Sequence, residues 1–129
     1  KCAIEINGFL PLAALHRLQT GARLNIYVHS LASPYRQKFM ELLTTERPIL
    51  CFPGESEDSL AIAAAAGGEV HSCDLPSDIS VALDDIWCRR HEPPVALDRK
   101  TLGQYSWESQ ADHLLDVFNG LGNIKNGTG

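Results

Sequence analysis

Lys38-Phe39-Met40-Glu41-Leu42-Leu43-Thr44-Thr45-Glu46-Arg47-Pro48-Ile49-Leu50-Cys51-Phe52 changes its hydrophobic period halfway along. Phe39, Leu42 and Leu43 recur at helical spacing. Thr44 to Pro48 turn the chain. Ile49 to Phe52 is then continuously apolar, as a strand is when both faces of its sheet are covered. A helix feeding such a strand is half of a β–α–β unit.

The same alternation extends in both directions. Upstream, Ser33-Pro34 supplies a cap and a first helical proline, and Tyr35 joins the Phe39 face. Leu24 to His29 reads as the preceding strand. Before it, Pro11 opens a helix with the stripe Leu12, Leu15, Leu18, which Gly21 can close. Ala3 to Ile6 reads as a first strand ending in Asn7-Gly8. Downstream, Pro53-Gly54 breaks the chain, and Ser56 or Glu57 opens an alanine-rich helix closed by Gly67-Gly68. Glu69 to Cys73 is a further strand. Asp74 or Leu75 then precedes Pro76 at the start of a helix patterned by Ile79, Ala82, Leu83 and Ile86. Residues 89–104 are polar and carry Pro93-Pro94, so they read as a loop with a helical turn near Leu97. Ser106 caps a last helix with the stripe Ala111, Leu114, Leu115, Phe118. Successive β–α units imply an α/β domain: a Rossmann-like parallel sheet of about four strands flanked by helices. The expected organisation is one partial domain over residues 1–119 and a flexible tail over 120–129.

Composition narrows the classes. The chain has 129 residues, enough for one core, and is 44% hydrophobic and 21% charged. Its formal net charge of −5 argues against a nucleic-acid surface, which needs a basic stripe. No apolar run approaches the ~20 residues of a membrane span, and the N-terminal residues lack the pattern of a signal peptide. The four cysteines, Cys2, Cys51, Cys73 and Cys88, show no zinc-ribbon spacing. They read as reduced thiols of a cytoplasmic protein. His29 ends its strand on the ligand side, where a lone histidine is more often structural; His16, His71, His91 and His113 show no metal spacing, so no metal site is expected. Asn126-Gly127-Thr128 matches a glycosylation sequon by chance.

The order of motifs resembles the C-terminal half of the donor-binding domain of a GT-B glycosyltransferase of the family-4, retaining type. Ile6-Asn7-Gly8-Phe9-Leu10-Pro11 resembles the family's strand-Gly-x-x-Pro entry to a helix. Ile26-Tyr27-Val28-His29-Ser30 resembles the strand that precedes the donor loop. Lys38-Phe39-Met40-Glu41 resembles its Lys-x-x-Glu helix, and Arg47-Pro48-Ile49-Leu50 the segment that follows. Tyr105-Ser106-Trp107-Glu108 resembles the F/Y-S-W-E start of the last helix. The family's Glu-x7-Glu pattern is half met: Glu41 is in place, and Ser33 stands where the first glutamate would fall.

The resemblance implies a donor-binding function: holding the nucleotide-sugar from which a glycosyltransferase moves a sugar to an acceptor. Glu41 would contact the ribose. Lys38 and the amides around Ser30 and Ser33 would face the diphosphate; Arg36 reads as solvated. Gly8, Gly54 and Glu55 would border the donor at other strand ends, where α/β sheets bind ligands. No cofactor is implied, because the leaving diphosphate can be stabilised electrostatically. The activity would belong to a longer chain with an N-terminal acceptor domain as partner, the fragment alone being inactive. Peripheral membrane association of the parent enzyme and self-association of the fragment are compatible with this reading. The alternatives are a non-catalytic, receiver-like interaction or regulatory module and a nucleotide-sugar epimerase of the same fold.

Overall fold

The computed structural model describes residues 3–28 and 36–125, with side chains over 3–28 and 37–121. Two compact units divide the chain, Lys1–Leu97 and Asp98–Gly129. In the first, the elements run α1 (Leu12–Gly21), β1 (Asn25–Val28), α2 (Arg36–Leu43), β2 (Ile49–Phe52), α3 (Glu57–Ala65), β3 (Val70–Ser72) and α4 (Pro76–Cys88). The second holds α5 (Arg99–Gly103) and α6 (Trp107–Lys125).

Among the described residues the sheet has three strands in the order β1-β2-β3, all parallel. Ile26 lies opposite Leu50, and Leu50 opposite His71. β2 is the centre: Ile49, Leu50 and Cys51 are buried, which is why that run carries no polar residue. Helices α2 and α3 contact each other. Phe39, Leu42 and Leu43 of α2 are buried, as are Ser59 and Ala63 of α3 and its C-cap Ala66. On α4, Ala82 packs with Leu50 and Cys73, joined by Leu24, Phe52 and Ile79. Helix α3 starts at Ser56, whose hydroxyl accepts the Ser59 N–H at 3.3 Å. It ends at Gly67, whose φ of +77° is the left-handed conformation glycine adopts without strain. The loop after β2 opens with a cis Phe52–Pro53 bond.

One buried polar group ties helix ends to the sheet. Asn25, 8% exposed, donates from Nδ2 to the Gln19 carbonyl at 3.2 Å and to Thr45 Oγ1 at 3.1 Å. Thr45 in turn donates to the Leu42 carbonyl at 2.6 Å.

The sheet corrects the expected count of about four strands. Residues 3–8 form no strand, and Ile4 and Ile6 are 87% and 91% exposed. A parallel strand docked beside β1 would need apolar residues on both faces. Ile4 and Ile6 supply one face only, and Glu5 would enter the other. The stripe expected on α1 is likewise not buried: the helix has no buried residue, and Leu12 and Leu18 are 73% and 55% exposed. Ile26 and Val28 of β1 remain exposed as well.

In the second unit, Ser106 caps α6 as expected, its hydroxyl accepting the Ser109 N–H at 3.1 Å. The helix continues past Gly120 to Lys125, so the segment read as a loose tail begins inside it. Leu114, Leu115 and Phe118 are exposed.

Candidate functional site

Parallel α/β sheets bind ligands beyond the carboxyl ends of their strands. Here that edge is built by the turn after β2 and the turn after β3. The Gly54 N–H donates to Asp74 Oδ1 at 3.0 Å, and the Glu55 N–H to Ser72 Oγ at 3.0 Å. The Ser56 N–H turns back onto its neighbour, Glu55 Oε1, at 2.8 Å. All three backbone donors of the turn are therefore committed to side chains of the protein. A Cβ at Gly54 would lie 2.7 Å from Ser72 Oγ and 2.8 Å from Asp74 Oδ1. The glycine is what lets the two turns close on each other.

The edge is acidic. Glu55 is felt by two neighbours in the sheet. Burial foremost, and the Glu55 charge next, push the Cys51 thiol from 9.0 up to about 12. The same two causes, in the same order, raise Tyr27 above its ordinary value. Asp78, in the first turn of α4, accepts the N–H groups of Leu75 at 2.9 Å and Asp74 at 3.2 Å. Its carboxylate both caps that helix and fixes the turn that carries Asp74.

The expected site residues are distributed unevenly. Ser30 and Ser33, with His29 and Pro34, lie outside the described residues. Gly54 and Glu55 are at the strand ends. Glu41 is on the second turn of α2, where Oε2 accepts from Lys38 Nζ at 3.0 Å and Oε1 from Gln37 Nε2 at 3.3 Å. The Lys38 and Glu41 side chains are 46% and 43% exposed. They form a solvated helix pair, worth about 0.2–0.5 kcal/mol in general. Among the described residues, no hydrogen bond or ion pair joins Glu41 to Gly54 or Glu55. Gly8 is exposed, with nothing within 4 Å of where a Cβ would be.

Sequence reasoning missed Ser72 and Asp74 as partners of the β2 turn. Their signal was present: two polar residues at i, i+2 closing a strand point to the same side. Asp74 read as a strand end and, with Leu75, as a candidate helix opener, without a partner in the turn after β2.

A second polar cluster forms at the opposite, amino-terminal end of β3. Arg89, the C-cap of α4, donates from Nη2 to Glu69 Oε1 at 2.6 Å and to Asp85 Oδ2 at 2.5 Å. His71 Nε2 lies 2.8 Å from Glu69 Oε1. The Arg89 hydrogen bond holds Glu69 below the usual carboxylate range, against a smaller opposing effect of burial, with His71 helping. Arg89 also lowers Asp85 and is itself raised by both carboxylates. One ligand atom each from Glu69, His71 and Asp85 falls within 4.8 Å of the others. That is a metal-like arrangement, but the guanidinium already serves both carboxylates as their cation. The cluster fastens α4 to the sheet.

No family model, curated protein or solved structure matches the chain.

Proposed function

We propose that this chain is the donor-side, nucleotide-sugar-binding part of a cytoplasmic glycosyltransferase. The observation that carries the reading is the turn Gly54-Glu55-Ser56, fixed at the carboxyl end of the central strand by Ser72 and Asp74. Its amides are committed, and its charges are negative. Such a rim does not favour phosphate. It favours hydroxyl groups, which donate to carboxylates. Glu55 and Asp74 would therefore meet the sugar. The diphosphate would fall to the segment after β1 that holds Ser30 and Ser33, with Lys38 at the following helix. Glu41 would reach the ribose only by leaving Lys38 and Gln37, a small cost for an exposed pair. The acceptor-side domain would be the partner, and no metal is called for by the carboxylates at this edge.

The same committed amides favour a second reading, a non-catalytic α/β interaction or regulatory module. Titration of amide NMR signals with UDP, GDP and ADP separates them. The donor reading expects one nucleotide to shift the amides of residues 30–38. The matching sugar nucleotide should add shifts at Gly54 to Ser56, and Glu55→Ala should remove the added shifts only. No saturable shift with any of these ligands favours the non-catalytic module.

A further inference from the structure

The opposite end of the sheet carries the reverse charge. Arg23 precedes β1, Arg47 precedes β2, and Arg89 and Arg90 follow α4; all four line one cleft, with Glu69, Glu92 and Pro93-Pro94-Val95 completing its wall. Four of the chain's 11 basic residues thus meet at one place in a protein of net charge −5. The cleft holds about 50 Å³, against the ~10–15 Å³ that one ordered water needs. A small tetrahedral anion fits that space.

The arginines differ in how far they are engaged. Arg89 is neutralised by Glu69 and Asp85, with Glu92 at 3.9 Å. Arg47 commits Nε to the Thr20 carbonyl at 2.7 Å, which aims the rest of its guanidinium without using it. Arg90 donates from Nη1 to the Trp87 carbonyl at 2.9 Å and stacks on the Trp87 ring at 4.8 Å. Arg23 makes no hydrogen bond or ion pair with the described residues. Arg23, Arg47 and Arg90, on three separate loops, therefore line one space, each with donors that these bonds leave over. Guanidinium forks match phosphate geometry.

We propose that this cleft, formed by Arg23, Arg47 and Arg90, binds a phosphate-sized tetrahedral oxyanion at the amino ends of the strands. The site is separate from the carboxyl-end rim and does not depend on the donor reading. Convergence from three directions suits a tetrahedral anion better than a planar carboxylate. Arg89 and its carboxylates hold the α4 end of the cleft in place.

Inorganic phosphate is the probe, titrated at constant ionic strength with chloride so that general screening stays fixed. Saturable shifts are expected at the amides of residues 22–24, 47 and 89–92, with sulfate competing and acetate not. Arg23→Gln, at an exposed position without partners among the described residues, should weaken binding about tenfold, the worth of one charge-assisted contact. Arg17→Gln, on α1 outside the cleft, should leave it unchanged. Non-saturable shifts, equal competition by acetate, or equal effects of the two variants would overturn the proposal. A phosphomonoester that binds more tightly than phosphate would show the anion to be part of a larger ligand. Equal affinity would mark the free ion, and either ranking supports the site.

Discussion

Asp74 accepts the N–H of Gly54 at 3.0 Å, across 20 residues of sequence. This bond and its neighbour from Glu55 to Ser72 make two turns on adjacent strands into one rigid rim. Asp74→Ala frees the Gly54 donor. The expected loss is about 1 kcal/mol, typical of one partly solvated hydrogen bond. Faster hydrogen exchange at Gly54 and Glu55, with the α2 amides unchanged, would show that the loss is local.

The Glu69–Arg89 pair should set the acid limb of stability. Arg89 holds Glu69 below its ordinary 4.5. Above that value both folded and unfolded states are ionised, and the full contribution is present. As pH falls below it, the unfolded state takes up the proton first, and stability is lost until the folded value is passed. Arg89→Gln should flatten this limb in urea melts recorded from neutral pH downward. A variant with an unchanged acid slope would contradict the assignment. Glu69→Ala, which strands part of the Arg89 guanidinium and His71, should cost about 1–3 kcal/mol at neutral pH.

Cys51 should be chemically silent and alkali-sensitive. Its side chain is fully buried, and the thiol is pushed from 9.0 to about 12. The folded state therefore keeps a proton that the unfolded state gives up from pH 9 upward. Stability is complete below that and falls as pH rises toward 12. At neutral pH a thiol reagent should modify exposed Cys88 in the native protein and reach Cys51 and Cys73 only on unfolding.

Asn25→Ala should be among the more damaging single changes in the sheet. It removes the bonds to Gln19 and Thr45 from a position 8% exposed. The expected cost is about 1–3 kcal/mol for the acceptors left behind, read as a lower urea midpoint with an unchanged slope.

What was legible in the sequence follows from how local its cause is. β2 and α2 were readable because Ile49 to Cys51 and the Phe39 face are buried on their own account. The Ser56 and Ser106 caps were readable because a cap needs only its own next residues. Ala3 to Ile6 misled because two alternating isoleucines meet strand propensity without the second apolar face that a parallel sheet demands. The Leu12 stripe misled in the same way: its spacing is helical, and its burial depends on a surface it does not meet. Gly54, Glu55 and Asp74 were all legible as strand-end residues, whereas the bonds that Ser72 and Asp74 make to the turn after β2 were not. A hydrogen bond between turns 17 to 20 residues apart leaves no local pattern. The arginine cleft has the same character, since its members sit on three loops.

The strand order has a consequence of its own. Among the described residues, the sheet adds strands in one direction, β1 to β2 to β3, with no point where its winding reverses. The crevice that open α/β sheets offer to ligands arises at such a reversal. A strand laid along the free edge of β1 would create one, and the crossover beside it would run over Ile26 and Val28, now 61% and 70% exposed. A single addition would thus cover Ile26 and Val28 and open a binding crevice at the carboxyl end of β1. Hydrogen exchange reads this directly. The outward N–H groups of β1 exchange freely while that edge is bare, and become protected when a partner strand seats on it.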